Sequence, residues 1–317
     1  MIVAIGEVVW DIFPDGELLG GAPINVAYHL AALGLPVRVI TRVGRDALGE
    51  ATLARLAELG LPLEGVQRDG QLPTGKVMVS FGPDREPSYE IVAPAAWDNI
   101  DDQQALAAAR GEGPEPGAAA GAGETASGAE FSLVFGTLAQ RDPRSRRAIR
   151  RLAAAASGRY LDVNLRPPFT TRQLVLESLE YADLVKVNGE ELVQLGLWLD
   201  LPAAAGAGAE QEAGNEPPFI DPAREQIATA IRDRYGLTAL VVTEGPAGSW
   251  ARTPEATWKA AGEPVTVADT VGAGDAFFAA LIAAHRQQLP WPEILARANR
   301  RGAYVASRSG ATPPMPE

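Results

Sequence analysis

DTVGAGDAFFAALIAA, residues 269–284, sets two glycines around Ala273 just ahead of a long apolar helical run that begins near Asp275. Glycines there let the backbone approach a ligand closely, and the open amides of a helix start offer positive charge to a phosphate. Asp275 has two readings from pattern alone. A carboxylate at a helix start is commonly a cap. Beside an anion cradle it is also what phosphoryl transfer to an alcohol requires, one group holding charge while the other takes the proton.

Toward the other end, LLGGAPINVAYHLAALG, residues 18–34, puts Gly20 and Gly21 before a helix with Asn25 in its first turn. A glycine pair is ordinary turn chemistry. It also leaves bare backbone beside a polar amide, suited to a polyhydroxylated ligand, with Asp11 just after the first strand to accept hydrogen bonds from hydroxyls. Between these stretches IVAIG, PVRVITRVG, FSLVFG, RYLDVN, ADLVKVN and ALVVTEG are short apolar runs ending in polar or glycine residues, and they alternate with helical stretches such as ALGEATLARLAELG. That rhythm predicts an α/β fold of central parallel strands with helices on both faces and functional groups at the strands' carboxyl ends. GKVMVSF and PSYEIV break the rhythm: they alternate apolar and polar residues and are joined by GPDRE, an antiparallel hairpin that suits a lid.

With 317 residues, 46% of them hydrophobic, the chain can bury a full core. A net charge of -12 argues against a surface for DNA, RNA or anionic lipid. The absence of cysteine excludes disulfides, thiolate metal sites and a cysteine nucleophile, and fits a reducing cytoplasm. The acids Glu7 and Asp11 interrupt the opening run, so it is not read as a secretory signal, and no apolar stretch reaches spanning length. Segments from about Ala105 to Glu130 and from Pro202 to Pro218 are rich in Ala, Gly, Glu and Pro and read as mobile surface insertions, the alternative for the first being a frayed helix through QQALAAAR before a loose loop. His29 and His285 read as structural or exposed, and Trp10 and Trp97 as candidate apolar walls of a sugar pocket.

GGAPINVAYHLAALG and DTVGAGDAFFAALI resemble the two signature regions of PfkB-type (ribokinase-like) carbohydrate kinases, in the expected order along nearly the whole chain. GEVVWDIFPDG, the hairpin ending in APAAWD, and DVNLRPPF are similar to the fructokinase group within that family. The resemblance implies one kinase domain over residues 1–317, a ribokinase-like three-layer α/β/α sandwich with a small β lid from segments near 9–22 and 73–98. It implies Asp275 as catalytic base, with Gly272, Ala273 and Gly274 as the anion hole and Arg166 approaching the transferred phosphoryl group or the sugar. Asp11, Gly20, Gly21, Asn25 and Asn164 then bind sugar, and Asp162 stands with Asn164 at a strand's carboxyl end. Asn188 and Glu191 in KVNGEEL match the element that helps hold hydrated magnesium on ATP. Thr243, Gly245 and Gly248 match the nucleotide loop, with Asn299 and Gly310 flanking the adenine, and Asp269 matches a monovalent-cation (potassium) site. Lid-mediated homodimers are common among such kinases.

The implied reaction is ATP-dependent phosphorylation of a primary sugar hydroxyl, D-fructose to fructose 6-phosphate, with 2-keto-3-deoxygluconate or another ketose as the alternative acceptor. A sugar-binding sensor with vestigial nucleotide machinery is a rival class, against which the intact GAGD stands. A dinucleotide-dependent oxidoreductase would need G-x-G-x-x-G after the first strand, where GEVVWD stands instead.

Overall fold

The computed structural model describes residues 1–14, 16–81, 87–112, 130–207 and 220–315, and its contacts divide the chain into two units, Met1–Arg159 and Tyr160–Glu317. The first unit carries β1 (Ile2–Ile5), β2 (Val9–Phe13), β3 (Gly16–Gly20), α1 (Ala22–Ala31), β4 (Val37–Gly44), α2 (Ala47–Glu58), β5 (Val66–Asp69), β6 (Gly75–Phe81), β7 (Pro87–Ile91), α3 (Asp102–Arg110), β8 (Ser132–Gly136) and α4 (Pro143–Ala155). Strands β8, β1, β4 and β5 lie side by side and run parallel. All four residues of β1 are buried, as a central parallel strand covered on both faces requires. A separate small sheet has the order β3-β2-β6-β7, antiparallel at its outer pairs and parallel between β2 and β6. The expected hairpin is therefore present as β6 and β7; GPDRE, which joins them, lies outside the described residues.

Two polar clusters tie the small sheet to its surroundings within this unit. Asp46 caps α2 through the Gly49 amide at 2.8 Å and also accepts from the Thr74 amide at 2.8 Å and hydroxyl at 2.6 Å, just ahead of β6. Burial opposes the charge of Asp46, but these bonds outweigh it and hold its carboxyl below the usual range. Beyond β7, Asp98 receives both Nε and Nη2 of Arg141 at 2.8 Å, and the guanidinium lies 3.9 Å from the centre of the Trp97 ring.

The second unit continues β9 (Gly158–Asp162) and adds α5 (Arg172–Leu179), β10 (Leu184–Asn188), α6 (Gly189–Trp198), α7 (Pro222–Tyr235), β11 (Ala239–Thr243), β12 (Gly248–Arg252), β13 (Thr257–Ala261), α8 (Ala273–Arg286) and α9 (Trp291–Ala306). Its strand order is β13-β12-β11-β10-β9, with β9, β10 and β11 parallel and β12 and β13 antiparallel. Helix α8 buries nine consecutive residues, Ala276 to Ala284, so its first turn is held by a helix packed on every side.

Where the sequence reading placed an insertion from about Ala105, the structure has α3 through Arg110, with Ala105, Ala108 and Ala109 buried. The weighed alternative of a helix there is the one observed; the alanines supply a thin apolar stripe that composition alone concealed. Residues 113–129 and 208–219, the bulk of both expected insertions, lie outside the described residues. Trp10 and Trp97 are core rather than pocket wall. Trp97 is fully buried, and Trp10, 8% exposed, donates its indole N–H to Thr52 Oγ1 at 2.9 Å.

The Asp98–Arg141 pair is buried, with side chains 5% and 7% exposed, so removing one partner strands a charge. Asp98→Ala is expected to lower unfolding stability by about 3–5 kcal/mol in urea titration, and a change below about 1 kcal/mol would show the pair to be solvated.

Candidate active site

The carboxyl ends of β9, β10 and β11 and the first turn of α8 carry most of the expected residues. Asp162 and Lys186 are register partners on the adjacent strands β9 and β10, and Lys186 Nζ lies 2.8 Å from Asp162 Oδ2. Both side chains are buried, 9% and 7% exposed. Burial works against the Lys186 charge, but Asp162, then Glu191 and Asp275, raise its pKa above the ordinary lysine value. Lys186 received no role from the sequence, in which ADLVKVN reads simply as one of the central parallel strands.

Gly272 caps α8 at φ 75, a conformation that suits glycine, and a Cβ there would come within 2.4 Å of Ala311 Cβ. The Ala273 amide is turned back to Thr270 O at 3.2 Å, and the first intrahelical bond runs from the Ala276 amide to Gly272 O. The amide of Gly274 has no intrahelical acceptor, so the helix presents its positive end there. Asp275, half-buried, stands in this turn, and its charge reaches Lys186. Asp269 fastens the approach to it: one carboxylate oxygen accepts from the Val271 amide and the other from the Gly310 amide, each at 3.0 Å.

Asn188 caps α6 with Oδ1 on the Glu191 amide at 2.8 Å, and Glu191 Oε2 returns to the Asn188 amide at 2.9 Å. Glu191 Oε1 accepts from Leu165 at 2.7 Å, tying the β9 exit to the start of α6. Burial, then the Asp162 charge, pushes the Glu191 carboxyl up, against the opposing pull of Lys186 and the two amides. With each oxygen already accepting an amide, and no group of three or more His, Cys, Asp or Glu able to hold a metal among the described residues, this element does not make a protein cage. What it offers a metal ion is contact through the ion's own water shell rather than direct ligation. Asn164, at φ 41, turns the chain out of β9. Arg166 is exposed, and its guanidinium donates to Leu165 O at 2.9 Å.

Thr243 is the register partner of Asn188, so the expected magnesium and nucleotide elements end side by side. Gly189 owes its lack of a side chain to Glu244, because a Cβ would sit 2.5 Å from Glu244 Oε2, which takes Arg224 Nη1 at 2.8 Å. Gly245 has φ 56, and Gly248 packs so tightly on β13 that a Cβ would meet Ala260 O at 2.3 Å. Asn299 is buried and donates its amide to Ala260 O and Ala261 O, both at 3.0 Å, so it anchors β13 to α9. The segment before α8 leaves Val265, Val267 and Val271 42%, 56% and 51% exposed, an apolar rim that the sequence reading passed over.

In the first unit, Asp11 lies in the middle of β2 between Leu18 and Val77 on the flanking strands, and a Cβ on Gly20 would fall 3.1 Å from its Oδ2. Gly21, at φ 118, has Glu7 O where a Cβ would go, at 2.6 Å, and its own carbonyl accepts the amide of the buried Asn25 at 3.0 Å. Burial raises the Asp11 carboxyl above the ordinary range. His29 is fully buried, as a structural role requires, and His285 Nδ1 lies 3.1 Å from the Tyr160 hydroxyl. Among the described residues no helix is long and apolar enough to cross a membrane.

Carboxylates and an amide turn thus stand at the ends of parallel strands, with a buried cation among them. The chain belongs to the pfkB family of carbohydrate kinases, whose profile matches residues 16–110 and 132–317. It is 26% identical to a fructokinase of Vibrio alginolyticus over 98% of this chain and 94% of that protein. The fold is ribokinase-like: it matches the aminoimidazole riboside kinase of Salmonella enterica, complexed with aminoimidazole riboside and an ATP analog, at a TM-score of 0.73 and 23% identity over 98% of this chain and 95% of that one. It also matches a Vibrio cholerae fructokinase with fructose, ADP and calcium bound at a TM-score of 0.73 and 23% identity, covering 98% and 94% of the two chains.

A carboxyl whose folded pKa is raised is favoured in its neutral form, so the folded state is disfavoured as pH rises through that pKa. Asp11→Asn, which does not ionise, is expected to make the ligand-free protein more stable than the parent at pH 7, with the difference shrinking as pH falls through the carboxyl's titration. Thermal unfolding across that range checks it; a difference independent of pH would remove the burial argument.

Proposed function

We propose that this chain transfers the γ-phosphoryl group of ATP to the primary hydroxyl of D-fructose, giving fructose 6-phosphate and ADP. The observation that carries the reading is the first turn of α8, where Asp275 stands beside backbone amides and within the field of the buried Lys186. The sugar hydroxyl oxygen attacks the γ-phosphorus, the new O–P bond forms as the bond to the β–γ bridging oxygen breaks, and the hydroxyl proton passes to Asp275. The amides of Gly272 and Gly274 face the phosphate charge, and Ala273 shapes the turn. Magnesium, when bound, neutralises charge on the nucleotide phosphates, and Asn188 and Glu191 would face its water ligands. Asp269 stands for the monovalent-cation site and Arg166 for an outer contact to phosphate or sugar.

Asp11, Gly20, Gly21, Asn25 and Asn164 stand as the sugar contacts in this reading. Thr243, Gly245 and Gly248 form the nucleotide loop that Asn299 braces, and the exposed valines before α8 offer an apolar surface for a base. The fructokinase relatives favour fructose, whereas the riboside kinase shares the fold at the same TM-score. The acceptor is therefore the first thing to test, by ADP formation across fructose, 2-keto-3-deoxygluconate, ribose and nucleosides. With the best acceptor, Asp275→Ala is expected to cut kcat by about 10²–10⁴ while sugar affinity stays within about threefold. Near-normal turnover would remove Asp275 as the base.

A further inference from the structure

Lys186 lies inside an otherwise apolar strand, and the chain spends only three lysines against 25 arginines. Pairing alone explains it poorly, because replacing a buried ion pair by apolar side chains of similar volume is often neutral or stabilising. An ammonium carries three donors. Asp162 Oδ2 takes one at 2.8 Å, and among the described residues Nζ makes no other hydrogen bond. A buried group with donors to spare calls for a further partner.

The surroundings say where that partner sits. A Cβ built on Gly274 would lie 3.3 Å from Nζ, so the ammonium abuts the first turn of α8 at the residue whose amide has no intrahelical acceptor. Gly274 is exposed while Lys186 is buried, so a ligand reaching that turn from solvent meets the amide and the ammonium together. The same closeness accounts for glycine at 274, where a side chain would crowd the ammonium. Glu191 and Asp275 add negative charge around it, which a polyanionic substrate must overcome.

We propose that Lys186 is a catalytic cation: clamped by Asp162, it gives its remaining N–H donors to oxygens of the phosphoryl group held at the first turn of α8. This rests on the kinase reading above. The test uses the full chain as Lys186→Met, as the double variant Asp162→Asn/Lys186→Met, which leaves no stranded buried carboxylate, and as Asp275→Ala in parallel. Dissociation constants for a non-hydrolysable ATP analogue and for AMP are measured by calorimetry, and turnover with the best acceptor from the sugar screen.

Both Lys186 variants are expected to lose affinity for the ATP analogue by about tenfold or more while AMP affinity holds, because a bond to a charged group is lost only where there is a γ-phosphate. Their turnover should fall by about a hundredfold. A folded double variant with an unchanged ratio of ATP-analogue to AMP affinity overturns the proposal and leaves the pair structural. If Asp275→Ala is inactive while the Lys186 variants turn over normally, this inference alone fails. If Asp275→Ala is active, the base assignment fails, and the nucleotide affinities still decide the case of Lys186.

Discussion

The 2.8 Å contact between Lys186 and Asp162 allows the carboxyl ends of β9 and β10 to carry acids while buried. Asp162 and Glu191 are both withdrawn from water, and the Glu191 carboxyl is already pushed up by burial and by its neighbour. Take away the ammonium, and two buried carboxylates and Asp275 repel one another in a medium that screens poorly. Register makes the arrangement stable: parallel pairing sets Lys186 opposite Asp162, so the two side chains leave the sheet on the same face. The amide bonds from Asn188 and Leu165 then aim Glu191 without spending another side chain.

Beyond that pair the site is made largely of backbone. Asp269 braces the turn from two sides, one oxygen on Val271 and the other on Gly310, while Gly272 accepts a conformation and a closeness to Ala311 that a side chain would forbid. The buried length of α8 behind it resists movement of that turn. Backbone donors fixed in this way suit charge that changes little in position during reaction, since they need no reorganisation to meet it. Gly21 in the first unit obeys the same logic: the carbonyl of Glu7 fills the space of its missing Cβ, and the start of α1 is set by contact rather than by a side-chain cap.

The sequence made the parallel strands legible because each is short, apolar on both faces and closed by a polar residue or glycine, and Asp275 legible because glycine and acid meet at a helix start. Lys186 was hidden since its meaning depends on a partner 24 residues earlier on the next strand, which no local pattern conveys. Trp10 and Trp97 misled for the opposite reason: an aromatic beside a polar motif suggests a pocket, yet Thr52 and Arg141, distant in sequence, draw the two rings into the core. The antiparallel pair β12 and β13 was passed over although GSWAR and TWKAA flank a short turn, because the stretch was read only for the loop around Gly245 and Gly248. The helix α3 was ranked behind an insertion because the low bulk of its alanines resembles low order when only composition is read.

The charge balance gives the buried lysine its weight. A chain of net charge -12 repels a nucleotide polyphosphate at long range. Affinity must then come from donors that act within a few ångströms, where solvent is excluded and counterions screen least. An exposed arginine such as Arg166, its guanidinium turned to a neighbouring carbonyl, is screened by solvent and suits an outer contact rather than an inner one. A helix end and a desolvated ammonium act at short range, and both converge on the turn at Gly274. Discrimination follows from the same geometry, because an anion held only by short-range donors must place its oxygens against them, whereas one held by a diffuse basic surface need not.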